Sequence, residues 1–187
     1  MAKPQRVLLT TSREPTQSIR TLCRELSLTL PNVIRINRGK LNFEGILEEA
    51  LKLNAEKIVV VNRWKEGFAK IEFFEVKQEE RKSFSPTVYV HSVRLRKDFE
   101  NQISKGRKTM SVAIAIPSKE TFGLKAFENL ISNLFNIHVL SIEEAINDYD
   151  AIMKFFVDLS DQVIVTFEIL PEMIEVDPQM KLSYLVW

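Results

Sequence analysis

Five short motifs occur twice along the chain, in the same order. Ser12-Arg13-Glu14 is echoed by Ser118-Lys119-Glu120, Leu30-Pro31-Asn32-Val33 by Leu134-Phe135-Asn136-Ile137, and Glu48-Glu49-Ala50 by Glu143-Glu144-Ala145. Phe73-Phe74-Glu75-Val76 is echoed by Thr166-Phe167-Glu168-Ile169, and Ser85-Pro86-Thr87-Val88 by Asp177-Pro178-Gln179-Met180. The offsets drift from 106 through 104, 95 and 93 to 92, as duplication followed by loop trimming would produce. One such match is weak, but five in order predict a twofold internal repeat, with a first copy over about 1–97, a polar connector over about 98–108 and a second copy over about 109–187. Whatever architecture the first copy adopts, the second has to adopt again.

Periodicity supplies the elements of one copy. Val7-Leu8-Leu9 reads as a short buried strand entering the polar loop Thr10 to Thr16. Ile19, Leu22, Cys23 and Leu26 then follow the spacing of an amphipathic helix that Pro31 must end, with Arg20 and Arg24 one turn apart off the apolar face. Val33 to Ile36 reads as a second strand, and Asn42 as the N-cap of a helix with Phe43, Ile46, Leu47 and Ala50 inward. Ile58 to Val61 and Phe68 to Val76 read as a hairpin through Trp64 to Gly67, Gln78 to Ser85 as a loop, and Thr87 to Arg96 as a further strand. The second copy then places a helix on Phe122, Ala126, Phe127, Leu130, Ile131 and Leu134, and a strand near Ile137 to Leu140. A capping box follows at Ser141-x-x-Glu144, then a hairpin of Ala151 to Val157 with Gln162 to Leu170, and a last strand over Lys181 to Trp187. Tyr149, Ile152, Met153 and Phe156 would also suit a helix, and the repeat decides for strands. The expected fold class is α/β in two similar halves, each a small mixed sheet with helices.

Composition narrows function by exclusion. At 187 residues, 45% hydrophobic and 27% charged, the chain has the make-up of an ordinary folded domain. A single cysteine rules out an internal disulfide or Cys-rich zinc site, and Cys23 falls on the buried face of the first helix. No apolar run is long enough for a membrane span or signal peptide, so a cytoplasmic protein without a membrane partner is expected. Five glycines, at 39, 45, 67, 106 and 123, cannot build a Walker loop or a dinucleotide fingerprint. His91 and His138 have no convergent partners in the sequence, and the paired glutamates point apart on their helices. No catalytic residue, metal site, cofactor or small-molecule substrate is expected.

Charge points to a partner once it is resolved along the chain. The 26 basic and 25 acidic residues sum to +1. Residues 1–108 hold 22 basic and 13 acidic side chains (+9), and residues 109–187 hold 4 and 12 (−8), an asymmetry that suggests a nucleic-acid face on the first half. Arg13 stands just before the first helix, whose N-terminal amides already favour an anion, with the Ser12 and Thr16 hydroxyls beside it. Arg20 and Arg24 continue the stripe, and Arg35, Arg38 and Lys40 cluster after the second strand. Arg94, Arg96 and Lys97, followed by Lys105, Arg107 and Lys108, form a second cluster at the connector. Guanidinium groups suit phosphate contact and stacking on bases, so the assembly favours RNA. Trp64 at the hairpin tip would stack on a base or cap the core.

The residues of the basic loop also carry a family resemblance. Thr11-Ser12-Arg13-Glu14-Pro15-Thr16, the helix after it, and Asn32 through Asn37-Arg38-Gly39 resemble the opening of the Brix domain, a module of ribosome-biogenesis proteins. Ser85-Pro86-Thr87-Val88-Tyr89-Val90-His91-Ser92-Val93-Arg94-Leu95-Arg96-Lys97-Asp98 is similar to that family's Gly-Pro-Thr segment with its following strand and Arg-x-Asp ending. The resemblance covers nearly the whole chain, is sharper in the first half, and is nearest to the stand-alone archaeal members. It implies one domain over 1–187, two halves each resembling the anticodon-binding domain of class II aminoacyl-tRNA synthetases, and a non-enzymatic factor that binds ribosomal RNA precursor during processing and subunit assembly. Ribosomal proteins or other assembly factors are the further partners it implies. Ser85 stands where the family has glycine, and Asp177-Pro178-Gln179 stands where relatives tend to have Gly-Pro-Arg, which removes a cation from that loop. A rival reading makes the acidic C-terminal half a scaffold that holds a basic ribosomal protein.

Overall fold

The computed structural model describes residues 5–76, 81–99, 108–116 and 122–187. Strand β1 (Arg6–Thr11) leads into helix α1 (Gln17–Thr29), strand β2 (Val33–Arg35), helix α2 (Phe43–Lys52), and strands β3 (Ala55–Arg63), β4 (Ala69–Val76) and β5 (Arg81–Arg94). A 3-10 turn over Arg96–Asp98 closes this half. Strand β6 (Val112–Ala115), helix α3 (Phe122–Phe135), strand β7 (Val139–Leu140), helix α4 (Ile142–Ala145), and strands β8 (Ala151–Val157), β9 (Val163–Ile169) and β10 (Ile174–Val186) follow in the same order of types.

All ten strands form one sheet in the order β2-β1-β3-β4-β5-β10-β9-β8-β6-β7, which reads alike from either edge. β1 runs parallel to β2 and β3, and β6 parallel to β7 and β8, while the remaining pairings are antiparallel. The halves meet where β5 pairs antiparallel with β10 from Gln179↔Arg94 to Val186↔Thr87.

Local chemistry explains the helices. Thr16 caps α1 by accepting from the Ile19 N–H at 3.2 Å, and Asn42 caps α2 by accepting from the Gly45 N–H at 2.8 Å. Ser141 and Glu144 form the reciprocal capping box of α4. Asn32 (φ 61°), three residues past the end of α1, and Asn136 (φ 52°), directly after α3, take the left-handed conformation that Asn tolerates better than most residues.

Alternation along β1 sends Val7 and Leu9 to one face and Leu8 to the other. On the first face α1 and α3 bury Ile19, Leu22, Cys23, Leu26, Leu124, Phe127 and Leu134 with residues from both halves of the sheet in one continuous core. On the second face α2 covers Leu8, Ile58, Val60 and Phe74, and α4 covers Ala113, Ala115 and Ile152, as two separate clusters. Further bonds cross the seam: the Lys57 ammonium donates to the Asn133 carbonyl in the last turn of α3, and the Thr109 N–H donates to Leu28 O at 2.8 Å.

Three expectations shift. The expected loop over 78–85 is strand from Arg81 onward, because β4 supplies ladder partners down to Val76↔Arg81 whatever the polarity of the side chains; residues 77–80 lie outside the described residues. The expected strand to Arg96 ends at Arg94, where the Asp98 carboxylate accepts the Leu95 N–H at 2.8 Å and turns the chain. The last strand begins at Ile174 rather than Lys181, with a register shift between Val176 and Met180 at the Asp177-Pro178 step. Most of the connector, 100–107 with Gly106, lies outside the described residues, as does the Ser118-Lys119-Glu120 motif.

A core shared across the seam makes a cooperative unit. Leu22→Ala in one half and Phe167→Ala in the other, both fully buried, should each cost about 2–5 kcal/mol. Each should shift one and the same urea transition, with tryptophan fluorescence and far-UV circular dichroism tracing coincident curves. Two separated transitions would show that the halves unfold independently.

Candidate nucleic-acid interface

The carboxyl ends of β1 and β2 point the same way because the two strands are parallel. α1 and α2 leave to opposite faces of the sheet, so the loops after β1 and β2 part and leave a crevice, the usual ligand position of such sheets. The crevice has a volume of about 270 Å³ and is lined by Thr11, Ser12, Arg13, Pro15, Arg20, Arg35, Ile36, Asn37, Arg38 and Gly39. The fold thus brings together Ser12, Arg13, Arg20, Arg35 and Arg38, which are scattered over 27 positions of sequence.

Backbone bonds hold its walls. The Ser12 N–H donates to Val61 O at 3.0 Å, and the Ile36 N–H to Leu9 O at 3.0 Å. The Arg38 guanidinium donates to Leu41 O at 3.1 Å and Thr11 O at 3.3 Å, so it ties the two loops together while lining the crevice. Gly39 beside it has φ +53° with open space where a Cβ would stand, and Lys40 after it is exposed. The N-terminus of α1 opens next to the crevice, and no acidic residue stands in its first turn. Helix dipole and guanidinium groups therefore act with one sign. Thr16 spends its hydroxyl on the cap, so its part is to position the helix end.

Arg24 stands one turn beyond Arg20 on the exposed side of α1. The second basic cluster meets that helix beside Glu25 and Leu28, about 12 to 17 Å from its start at 1.5 Å per residue. There the Arg96 N–H donates to the Glu25 carboxylate at 3.1 Å. Arg94 is exposed, with its guanidinium 4.4 Å from the centre of the Phe99 ring, and Lys97 is exposed. Lys108 is also exposed beside the end of α1, while Lys105 and Arg107 lie outside the described residues. Arg96 differs from its neighbours. Its Nε lies 3.6 Å from the Asp177 carboxylate, which is buried at the seam, and Thr29 donates to the Asp177 carbonyl at 3.1 Å. Arg96 is thus a tie between the halves. Sequence spacing could not separate it from Arg94 and Lys97, because its carboxylate partner is 81 positions away.

Glu25 is the group that sequence reading passed over. It is 2% exposed on the inner side of α1, and one of its carboxylate oxygens has no hydrogen-bond partner. Burial pushes it up to about 7 and the Asp177 charge adds to this, while the Arg96 N–H and the Arg24 and Arg96 guanidinium groups pull the other way. Burial likewise pushes the Cys23 thiol up to about 12, so it stays protonated among its apolar neighbours. Trp64 packs edge-on against Tyr89 and Tyr184, whose rings stack 4.5 Å apart across the seam. His138 meets the Tyr149 hydroxyl at 2.8 Å, and His91 is exposed on β5. No group of three or more metal-ligating side chains occurs among the described residues.

Comparison with known proteins gives one consistent set of relatives. A probable Brix domain-containing ribosomal biogenesis protein of Pyrococcus horikoshii is 27% identical over 129 residues, 68% of this chain and 57% of the relative. Its counterpart in Pyrobaculum aerophilum is 28% identical over 142 residues, 75% of this chain and 74% of the relative. The match spans only 57% to 62% of the length of the first Pyrococcus and Thermococcus relatives. The crystal structure of a probable ribosomal biogenesis protein from Aeropyrum pernix superposes with a TM-score of 0.77 at 24% identity, covering 98% of this chain and 99% of that one. Mil, an archaeal Imp4-like protein, superposes with a TM-score of 0.65 at 18% identity, covering 95% and 97%. No family model matches the chain.

The raised Glu25 sets a direction for stability. Its contribution is fully present below pH 4.5, the ordinary value, and is lost as pH rises through about 7. Stability should fall by up to about 3 kcal/mol between those limits. Glu25→Gln keeps the acceptor for the Arg96 N–H and should abolish that slope between pH 5 and 8 in urea titrations; an unchanged slope would place the titration elsewhere.

Proposed function

We propose, for a chain whose sequence relatives and fold are those of the Brix domain proteins, that it is a non-enzymatic ribosome biogenesis factor. It binds ribosomal RNA precursor on the basic face of its N-terminal half and assists rRNA processing and subunit assembly. The observation that carries this reading is the convergence of Arg13, Arg20, Arg35 and Arg38 on one crevice at the N-terminus of α1. A crevice of this kind suits a phosphate group held by guanidinium forks and helix amides. From there Arg24, then Arg94, Lys97 and Lys108, offer a path along α1 for the continuing backbone. The partition of roles follows from contacts already made. Arg13, Arg20, Arg24 and Lys40 touch RNA, Arg35 and Arg38 shape and charge the crevice, and Arg96 and Thr16 act by holding the frame.

The mirror order of the sheet and the repeated succession of element types support a gene duplication as the origin of the two halves. The kinship of each half to the anticodon-binding domain of class II aminoacyl-tRNA synthetases belongs to the same proposal, as does a site of action in the cytoplasm.

Counterion release sets the salt dependence. A fragment of ribosomal RNA should bind with log affinity falling linearly in log salt, by about 0.7 to 0.9 per phosphate neutralised. Arg13→Ala, Arg20→Ala and Arg24→Ala combined should lower the slope by about 2 to 3 and weaken binding at low salt, with the unfolding midpoint retained. Lys52→Ala on α2 is a single-charge control outside the crevice lining, and its slope should stay within about 1 of the wild type. Filter binding decides it: no retention at low salt sinks the RNA reading and leaves the protein scaffold in front, and an unchanged slope in the triple variant moves the site off α1.

A further inference from the structure

On α1 the arginines Arg20 and Arg24 stand in solvent while Glu25 is 2% exposed, and the two oxygens of its carboxylate differ. Oε1 accepts the Arg96 N–H at 3.1 Å. Oε2 is buried without a hydrogen-bond partner among the described residues. A buried carboxylate oxygen that accepts no bond is costly as an anion and far less so as part of a neutral carboxyl. A proton on Oε2 leaves Oε1 free to accept, so the turn over Arg96–Asp98 keeps its anchor in either state.

The charges around this oxygen fall into an inner and an outer set. Inside, Asp177 on β10 is a second buried carboxylate, with the Arg96 Nε 3.6 Å away. Asp98 accepts the Leu95 N–H, and Asp150, which lines one small cavity with Arg96 and Asp177, accepts from the Met110 and Ser111 N–H groups. Outside, Arg24, Arg94, Lys97 and Lys108 are exposed, and Arg24 favours the charged form of Glu25, as Arg96 does. Burial outweighs both and pushes the carboxyl up to about 7, with the Asp177 charge adding to it. The balance at Glu25 is thus held in part by a cation whose free side is the surface proposed above for RNA.

We propose that Glu25 is a proton-binding site linked to the RNA face: RNA laid along the outer side of α1 makes the carboxyl take up a proton on Oε2, and RNA in turn binds more tightly as pH falls. The inference rests on the RNA reading above and adds to it a second ligand, the proton, at a residue that does not touch RNA. A phosphate paired with Arg24 offsets the cation that favours the carboxylate. It also brings a negative charge to about one helix diameter, ~10 Å, from Glu25, a separation at which charges still act on one another at low salt. Linkage makes the effect mutual. A proton on Oε2 removes an anion from beneath the basic stripe and so strengthens its attraction for phosphate.

Isothermal titration calorimetry of a ribosomal RNA fragment against the full chain, at low salt in buffers of different ionisation enthalpy, counts the protons. About 0.2 to 0.4 proton should be taken up per RNA bound near pH 7. Affinity should be about twofold to tenfold higher at pH 6 than at pH 8. Glu25→Gln, which keeps the acceptor for the Arg96 N–H, should still bind RNA, lose that uptake and flatten the pH profile. Protons taken up by His91 or His138 appear equally in the variant and drop out of the difference. Asp177→Asn keeps the carbonyl to which Thr29 donates and removes a charge that raises Glu25, so the pH of greatest uptake should move down. Equal uptake in the wild type and Glu25→Gln, or RNA bound with no uptake, would overturn the inference and leave the RNA reading standing. Loss of RNA binding in Glu25→Gln would make Glu25 a purely structural residue, and an uptake maximum unmoved by Asp177→Asn would assign the proton to another group; either overturns the inference. Absence of RNA binding by the wild type at every pH overturns both.

Discussion

The pairing of β5 with β10 is the interaction on which the rest of this molecule depends. Each half by itself is a five-stranded sheet with an open margin at its last strand, and an open margin of that length is a liability for a folded chain. Closing the two margins on each other produces the ten-stranded sheet and places α1 and α3 on the same face over one core that neither half could fill alone. The contacts around the seam follow from that closure: the Tyr89 and Tyr184 rings stack, Lys57 reaches the end of α3, and Arg96 reaches Asp177.

The closure also decides which charges are available. Arg96 and Asp177 neutralise one another inside the seam, and burial leaves Glu25 as the group that feels pH there. The crevice at the ends of β1 and β2 lies toward the other end of α1, where Arg13, Arg20, Arg35 and Arg38 line it. Separation of the two charge populations along one helix lets the same element serve as structural wedge on its inner side and as a basic stripe on its outer side. Where β10 runs past β9 it keeps its pairing with β5, while its other margin has no strand neighbour among the described residues.

Much of the architecture was legible in the residues. Asn42 and Ser141 act as N-caps, Ile19, Leu22, Cys23 and Leu26 form the inner face of α1, and Ala151 to Val157 is strand rather than helix, as the repeat had required; Thr16, expected to offer its hydroxyl to an anion, caps α1 instead. Polar composition misled over Arg81 to Ser85, because a ladder partner outweighs side-chain propensity where the neighbouring strand is already in place. The basic crevice was half legible. Arg13, Arg20, Arg35 and Arg38 could be named from their positions before and after predicted elements, whereas the pairing of Arg96 with Asp177 could not, since it joins segments of opposite halves.

The sequence alone determined the order of elements, their caps, the alternation that gives each strand its inner face, and the polarisation of charge between the halves. All of these depend on neighbours within a turn of helix or a few strand positions, or on simple sums. Only the tertiary structure decided which arginines face solvent, where a glutamate is buried, and where a strand is left without a neighbour. Those outcomes depend on how the two halves meet across a seam, and the residues that meet there are separated in sequence by tens of positions to more than a hundred.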